Sequence, residues 1–298
     1  MSRPAASSTI TIGATAVTYL PDGYGWLNPA AAFPSSQPDG WRTHSEFLDE
    51  RGWFPVSIGS FLIQTSERAV LVDLGLGRVE FSIPDVADFR GGDLIEALAG
   101  RGLAPADIDT VFYTHLHHDH VGWTSNVAPA PNAPEGPEIS GLTFRSARHL
   151  VSGTEWEHWS GTHELVGPDP SAVQAPLETV IGYVSDGDEI APGVRVLATP
   201  GHTPGHSSLV VTDAAGKDPR RLVILGDVMH CQVQVVETNW SFAFDVDPAA
   251  GITTREHLLK DLEDDNTILA GGHFADNVFG RVLPAEMRRA WSSGYVAD

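Results

Sequence analysis

Short apolar runs bounded by Gly, Pro, Asp and Ser punctuate the chain, and their lengths suit strands better than helices. Residues 8–20 predict an opening strand. Residues 22–57 read as an irregular, aromatic-rich stretch with many Pro and Gly. Ser60–Thr65 and Ala69–Asp73 then form two short strands around a turn at Ser66-Glu67-Arg68. Asp93–Gly100 has a helical pattern with a Gly stop, and the β-branched and aromatic run Thr110–Thr114 predicts a buried strand. Residues 127–139 hold too much Pro for anything but a loop. A helix is expected to start near Ser152-Gly153-Thr154. Beyond it come strands near 194–198, 207–212 and 221–226, a helix near 253–263, a strand near 267–270 and a final helix near 284–292. Strands with helices interspersed in both halves predict an α/β layered fold. With 298 residues and no repeat or linker, the expectation is a single domain spanning 1–298.

Histidines change the picture. Four of the 13 fall within Thr114-His115-Leu116-His117-His118-Asp119-His120, directly after a predicted strand. A strand ending in a tight turn can aim His115 and His117 one way and Asp119 and His120 another, which suits two adjacent metal ions. Three further apolar runs end in a small residue and then a ligand type: Pro200-Gly201-His202, Leu225-Gly226-Asp227 and Gly271-Gly272-His273. Taken singly each is an ordinary loop residue; their recurrence at strand ends is the signal, because ligands at strand C-termini converge in α/β proteins.

The net charge of −21 repels phosphate backbones and anionic headgroups, so neither a nucleic acid nor a membrane is expected as partner. A single cysteine, Cys231, permits no internal disulfide. The first residues show no secretory pattern and no apolar run is long enough to cross a bilayer, so a cytoplasmic location is the expectation.

The pattern His115-x-His117-x-Asp119-His120, followed by His202, Asp227 and His273, resembles the seven-ligand set of the metallo-β-lactamase superfamily, and Asp73 in Leu71-Val72-Asp73-Leu74-Gly75 resembles its early Asp-x-Gly element. The resemblance implies an αββα sandwich: two mixed sheets face to face, with helices outside. It also implies that His115, His117 and His202 hold one metal, Asp119, His120 and His273 a second, and that Asp227 bridges them. Two Zn2+ are the expected cofactors, although Mn or Fe would accept the same ligands. A hydroxide between the metals would attack a lactone or ester carbonyl, or a phosphotriester, with Asp119 orienting it and moving its proton.

Departures narrow the branch. The commonest zinc β-lactamases carry Cys where this chain has Asp227, and the di-iron oxygen-reducing branch carries Glu where it has His117. The stretch after His273 is too short for the helical domain of glyoxalase II. The closest texture is that of the N-acyl homoserine lactonases and methyl-parathion-hydrolase-like enzymes, which would make quorum quenching the biological role. Those lactonases typically place Tyr three residues after the bridging Asp; here His230 stands there, either donating a hydrogen bond to substrate or packing. His118 is expected at the surface or behind the ligands. Trp26, Phe47, Trp123 and Trp240 are the expected substrate-pocket aromatics, with core or dimer-interface packing as the alternative. A small neutral ester or lactone is the expected substrate, and a homodimer the expected assembly. The rival readings are a mononuclear-iron dioxygenase using His115, His117, His202 and Asp227, and a non-catalytic binding module with a relic site.

Overall fold

Several strands bury both faces, and alternate residues go to different cores. Val70 and Val72 face one apolar cluster while Leu71 faces another. Leu222 and Ile224 share the first cluster, whereas Val223 and Leu225 join a third. A period-2 strand that is apolar on both sides needs a layer above and below it. The computed structural model, which describes residues 2–130, 138–162, 164–284 and 289–293, supplies those layers as two facing sheets with helices outside.

The first sheet has nine strands: β1 (Ser8–Ile12), β2 (Thr15–Leu27), β3 (Phe54–Gln64), β4 (Ala69–Val72), β5 (Glu80–Ile83), β6 (Ala87–Gly91), β7 (Thr110–Phe112), β8 (Arg148–Ser152) and β9 (Ile181–Val184). Its order is β5-β6-β2-β3-β4-β7-β8-β9, with β1 paired to β2. The second has seven: β10 (Glu189–Ala191), β11 (Val194–Ala198), β12 (Ser207–Thr212), β13 (Arg221–Ile224), β14 (Thr267–Ala270), β15 (Phe279–Leu283) and β16 (Ala290–Ser292), paired in that order. Both sheets are mixed. In the first, β4, β7, β8 and β9 run parallel. In the second, β13 and β14 do.

The core between the sheets joins Val17, Tyr19, Ile63, Val72 and Phe112 of the first to Val196, Leu209, Leu222 and Ile268 of the second. Outside the first sheet, Leu62, Leu71 and Val111 pack with Leu94 and Leu98 of the helix Leu94–Ala99 and with Trp159 of the helix Gly153–Trp159. Outside the second, Val223 and Leu269 pack with Leu258, Leu259 and Leu262 of the helix Pro248–Leu262. This is the αββα sandwich. Among the described residues, no helix is long and apolar enough to cross a membrane.

Three expectations from the sequence are corrected. The stretch 22–57 is not irregular throughout: β2 runs on to Leu27 and β3 starts at Phe54, their ladder resuming after a bulge between Pro21 and Gly23. Pairing with both β3 and β6 overrides the poor strand propensity of Gly23 and Gly25. At the other end, the expected helix over 284–292 is replaced by a strand at Ala290–Ser292, with residues 285–288 outside the described residues. The unpaired edge of β15 captures that segment, and Trp291 stacks edge-on against Phe274. The helix near 253–263 starts earlier, at Pro248, where the Asp247 side chain accepts the Ala250 N–H. Within the loop expected over 127–139, residues 131–137 lie outside the described residues.

Asp22, fully buried in β2, accepts five N–H groups: those of Leu76, Gly77, Gly92 and Leu94 from the backbone, and the indole of Trp123. It ties the loop after β4 to the loop after β6. Asp22→Ala strands these donors in a dry site, at about 1–3 kcal/mol for each one left unpaired. The expected loss in a urea-unfolding measurement is about 3 kcal/mol or more, and a loss under about 1 kcal/mol would contradict this account.

Candidate metal centre

Five strands deliver ligand-bearing or ligand-orienting loops from their C-terminal ends: β4 (Asp73), β7 (His115 to His120), β11 (His202), β13 (Asp227) and β14 (His273). They fall into two groups. His115, His117, His202 and Asp227 offer ligand atoms within 4.8 Å of one another, as do Asp119, His120 and His273. Asp227 joins them. Its Oδ1 lies 3.3 Å from His120 Nε2 and 3.2 Å from His273 Nε2; its Oδ2 lies 3.3 Å from His202 Nε2 and 3.6 Å from His115 Nε2.

The remote nitrogens of four histidines are fixed by acceptors. His120 Nδ1–H donates to Asp73 Oδ2 at 2.9 Å, His202 Nδ1–H to Asp245 Oδ1 at 2.8 Å and His273 Nδ1–H to the Ser57 carbonyl at 2.8 Å. His115 Nδ1–H donates to Thr114 Oγ1, whose own hydroxyl donates to Asp73 Oδ2. Each of these rings therefore turns a bare Nε2 lone pair inward. His120 Nε2 and His273 Nε2 meet at 3.2 Å, and His202 Nε2 meets His117 Nδ1 at 2.9 Å. Facing lone pairs at such distances repel unless a proton or a cation lies between them. His115 Nε2 and Asp227 Oδ1 are buried without a hydrogen-bond partner. Imidazole and carboxylate donors arranged in this way fit two divalent cations.

The carboxylate turn is built for close approach. Gly226 has φ +56°, and a Cβ there would stand 2.5 Å from His206 Nε2. That nitrogen accepts the Asp227 N–H at 2.8 Å, so the ring's Nδ1–H donates to the Thr199 carbonyl. The motif Thr199–His206 thus supplies both a ligand type, His202, and a support for Asp227.

Burial pushes the His115 and His117 imidazoles well below their ordinary range, leaving them neutral and able to donate a lone pair. Burial acts the same way on His202, but hydrogen bonds to Asp227 and Asp245 outweigh it and hold the ring up at about 9. On His120 and His273, burial is again outweighed, chiefly by Asp227, and both are raised. Burial would raise Asp227, yet His120, His273 and His230 around it keep it well below the carboxylate range.

A cavity of about 270 Å³ opens onto these residues. His117, His118, Asp119, His202, Asp227, His230 and His273 line its floor, and its walls are apolar: Leu27, Val56, Phe81, Phe89, Phe242 and Phe244 among others. His118, expected at the surface or behind the ligands, is a lining residue, and its backbone N–H donates to the Val166 carbonyl. His230 stacks on Phe242 at 3.7 Å and 11°, with Nε2 3.1 Å from Asp227 Oδ2 but out of hydrogen-bond alignment.

The four expected pocket aromatics lie elsewhere. Trp123 is buried against Asp22, with the Arg78 guanidinium 5.4 Å from its ring centroid. Trp240 is buried between Phe33 and Trp41, and Phe47 packs against the same cluster. Trp26 sits under the Arg51 guanidinium. Neither closeness in sequence to a candidate ligand (Trp123, Trp240) nor a place in the aromatic-rich stretch 22–57 (Trp26, Phe47) carried these rings to the cavity, because each found an apolar or cationic partner of its own. Phe81 and Phe89, which do line it, come from the hairpin of β5 and β6, with no ligand nearby in sequence to mark them. Glu155 was likewise unmarked: it is an acidic residue in a helix pattern, although fully buried.

The raised rings give the metal-free protein a defined pH response. Each contributes stability that is fully present below its unfolded pKa and is lost as pH rises toward the folded value. For His202 that window runs from the ordinary 6.5 to about 9, and His120 and His273 act in the same direction. The midpoint of thermal unfolding of chelator-treated protein is expected to fall across this interval; a flat or rising midpoint would count against the arrangement.

A family model for the metallo-beta-lactamase superfamily matches residues 53–273. An N-acyl homoserine lactonase of Bacillus sp. is 26% identical over 58% of this chain, and the match spans 64% of that protein, just under two thirds of its length. One from Bacillus thuringiensis is 24% identical over 72% of this chain and 79% of its own length. Among solved structures, AidC, described as a dizinc quorum-quenching lactonase in complex with a product, superimposes with a TM-score of 0.82 at 20% identity, covering 98% of each chain. The hydrolase AbOPH superimposes at 0.77 and 22% identity over 99% of each. With its model spanning well over half of the sequence, and with the same two-sheet architecture, the chain belongs to the metallo-β-lactamase superfamily.

Proposed function

We propose that the chain is a dinuclear metal-dependent hydrolase that opens lactones or cleaves related neutral esters. The observation that carries this reading is Asp227, with one carboxylate oxygen toward each histidine group. His115, His117 and His202 would hold one cation, Asp119, His120 and His273 the other, with Asp227 shared. Bound there, two divalent cations supply a water of lowered pKa and stabilise charge developing on a carbonyl oxygen. Zinc is the first choice: the donor set suits it, and AidC is described as a dizinc enzyme.

The chain's own residues do the remainder. Asp119 reaches the cavity floor with its oxygens 3.7 Å from His273 Nε2 and 3.9 Å from His120 Nε2, where it can orient the attacking water and take its proton. His230 lines the same floor with Nε2 3.1 Å from Asp227 Oδ2 and neither ring nitrogen in an aligned hydrogen bond, so that the ring can donate one to a substrate oxygen. Apolar walls exclude water and favour an apolar substituent on the substrate. Among the described residues, no Lys or Arg lines the cavity. An anionic substrate would find no Lys or Arg countercharge among these lining residues, which favours neutral lactones and esters. The lactonases among the relatives support acyl-homoserine lactones as the first substrates to test.

The test is hydrolysis of acyl-homoserine lactones, simple lactones, aryl esters and a phosphotriester by protein of measured metal content. Two equivalents of zinc-like ion with lactone turnover, abolished by a chelator and restored by Zn2+, are expected. Lengthening the apolar substituent should raise kcat/KM by about twofold to fourfold per methylene until the cavity is filled. One iron per chain with oxygen consumption would overturn the reading in favour of a dioxygenase. Asp227→Ala is expected to lower kcat/KM by at least about 100-fold with the fold retained by circular dichroism; near-normal turnover at full metal loading would contradict it.

A further inference from the structure

His117 differs from the other four histidines of the centre. Their remote nitrogens each donate to an acceptor, whereas His117 Nε2 is buried with no hydrogen-bond partner. A ligand histidine without such an acceptor needs some other restraint on its ring. The restraint at hand is steric: His117 lies edge-on to Trp159, with centroids 5.6 Å apart at 69°.

Trp159 is in turn fixed by Glu155, one turn earlier on the helix Gly153–Trp159. Its indole N–H donates to Glu155 Oε1 at 2.7 Å, and the Leu116 N–H donates to the same oxygen at 3.0 Å. Leu116 stands between His115 and His117. The other oxygen, Oε2, accepts the Thr203 hydroxyl at 2.6 Å and the Gly205 N–H at 3.2 Å, in the loop that carries His202. Contact is so close that a Cβ on Gly205 would lie 2.1 Å from the Glu155 backbone nitrogen. Glu155 is fully buried, and both of its oxygens are taken up by these four donors. One carboxylate therefore joins the two segments that bear His115, His117 and His202, and it touches neither Asp119, His120 nor His273.

We propose that Glu155 is a positioning residue for one half of the metal centre: it locks the His115–His117 turn to the His202 loop and, through Trp159, sets the ring of His117. The inference rests on the dinuclear reading above. Its specific content is asymmetry. Loss of the clamp loosens the three-histidine half, while the half formed by Asp119, His120 and His273 keeps its own supports from Asp73 and Ser57.

The test is titration of metal-free protein with Co2+, following the d–d absorption bands, in wild type, Glu155→Gln and Thr203→Val. His202→Ala and His273→Ala mark which band belongs to which half. Glu155→Gln keeps the shape but turns an amide toward donor groups. It is expected to weaken Co2+ at the half marked by His202 by about 10–100-fold and to leave the other within about threefold. Thr203→Val removes one arm and should give a smaller loss at the same half; it carries the test if Glu155→Gln does not fold. Unchanged affinities in both variants, or equal losses at both halves, would overturn the clamp in favour of a general packing role. Wild-type protein that takes up no Co2+ would instead overturn the dinuclear reading, and the clamp with it.

Discussion

A cluster of imidazole lone pairs turned toward one another, with a single carboxylate in their midst, is the constraint on which the rest of the structure depends. The Nε2 atoms of His120 and His273, held 3.2 Å apart with their remote N–H groups committed elsewhere, repel in the absence of a positive charge. The fold nevertheless holds them there. It does so with acceptors behind four of the five rings: Asp73 serves His120 and, through Thr114, His115; Asp245 serves His202; the Ser57 carbonyl serves His273. Those acceptors come from different strands and loops, so both sheets must be assembled before the centre exists. This arrangement spends stability on preorganisation, a pattern common at functional sites.

The sandwich is what makes that convergence possible. Parallel β4 and β7 in one sheet, and parallel β13 and β14 in the other, end at the same edge of the molecule. Their alternate side chains are committed to the central or outer cores, leaving only the loops beyond the strand ends to carry chemistry. A net charge of −21 is distributed over the chain, yet the cavity itself has an apolar wall and a floor of histidines and aspartates. Acidic surface and apolar cavity together favour a neutral substrate that binds through its hydrocarbon part and reacts through one polar group.

The two His/Asp groups of the candidate centre were legible in the sequence because each member follows an apolar run within a few residues, so the strand end that places it is also local. Core strands such as Ala69–Val72 and Thr267–Ala270 were legible for the same reason. What escaped is long-range. Pairing of Tyr24–Leu27 with both β3 and β6, or of Ala290–Ser292 with β15, depends on partners that local pattern does not reveal. The cavity walls escaped likewise: Phe81 and Phe89 arrive on a separate hairpin, while Trp123, beside the metal motif, is claimed by Asp22 from a hundred residues away. Glu155 could have been found only by noticing that an acidic residue beside Trp156 and Trp159 sits one turn from an aromatic indole donor, a weak signal without the loops it joins.

The central claim is that Asp227 shares its carboxylate between two cations. The most direct measurement is a crystal structure of metal-loaded protein, with anomalous scattering recorded on both sides of the zinc edge. The account predicts two anomalous peaks roughly 3.5–4 Å apart, one among His115, His117 and His202 and one among Asp119, His120 and His273, with an Asp227 oxygen on each. A single peak at full loading, or two peaks with Asp227 contacting only one, would contradict it.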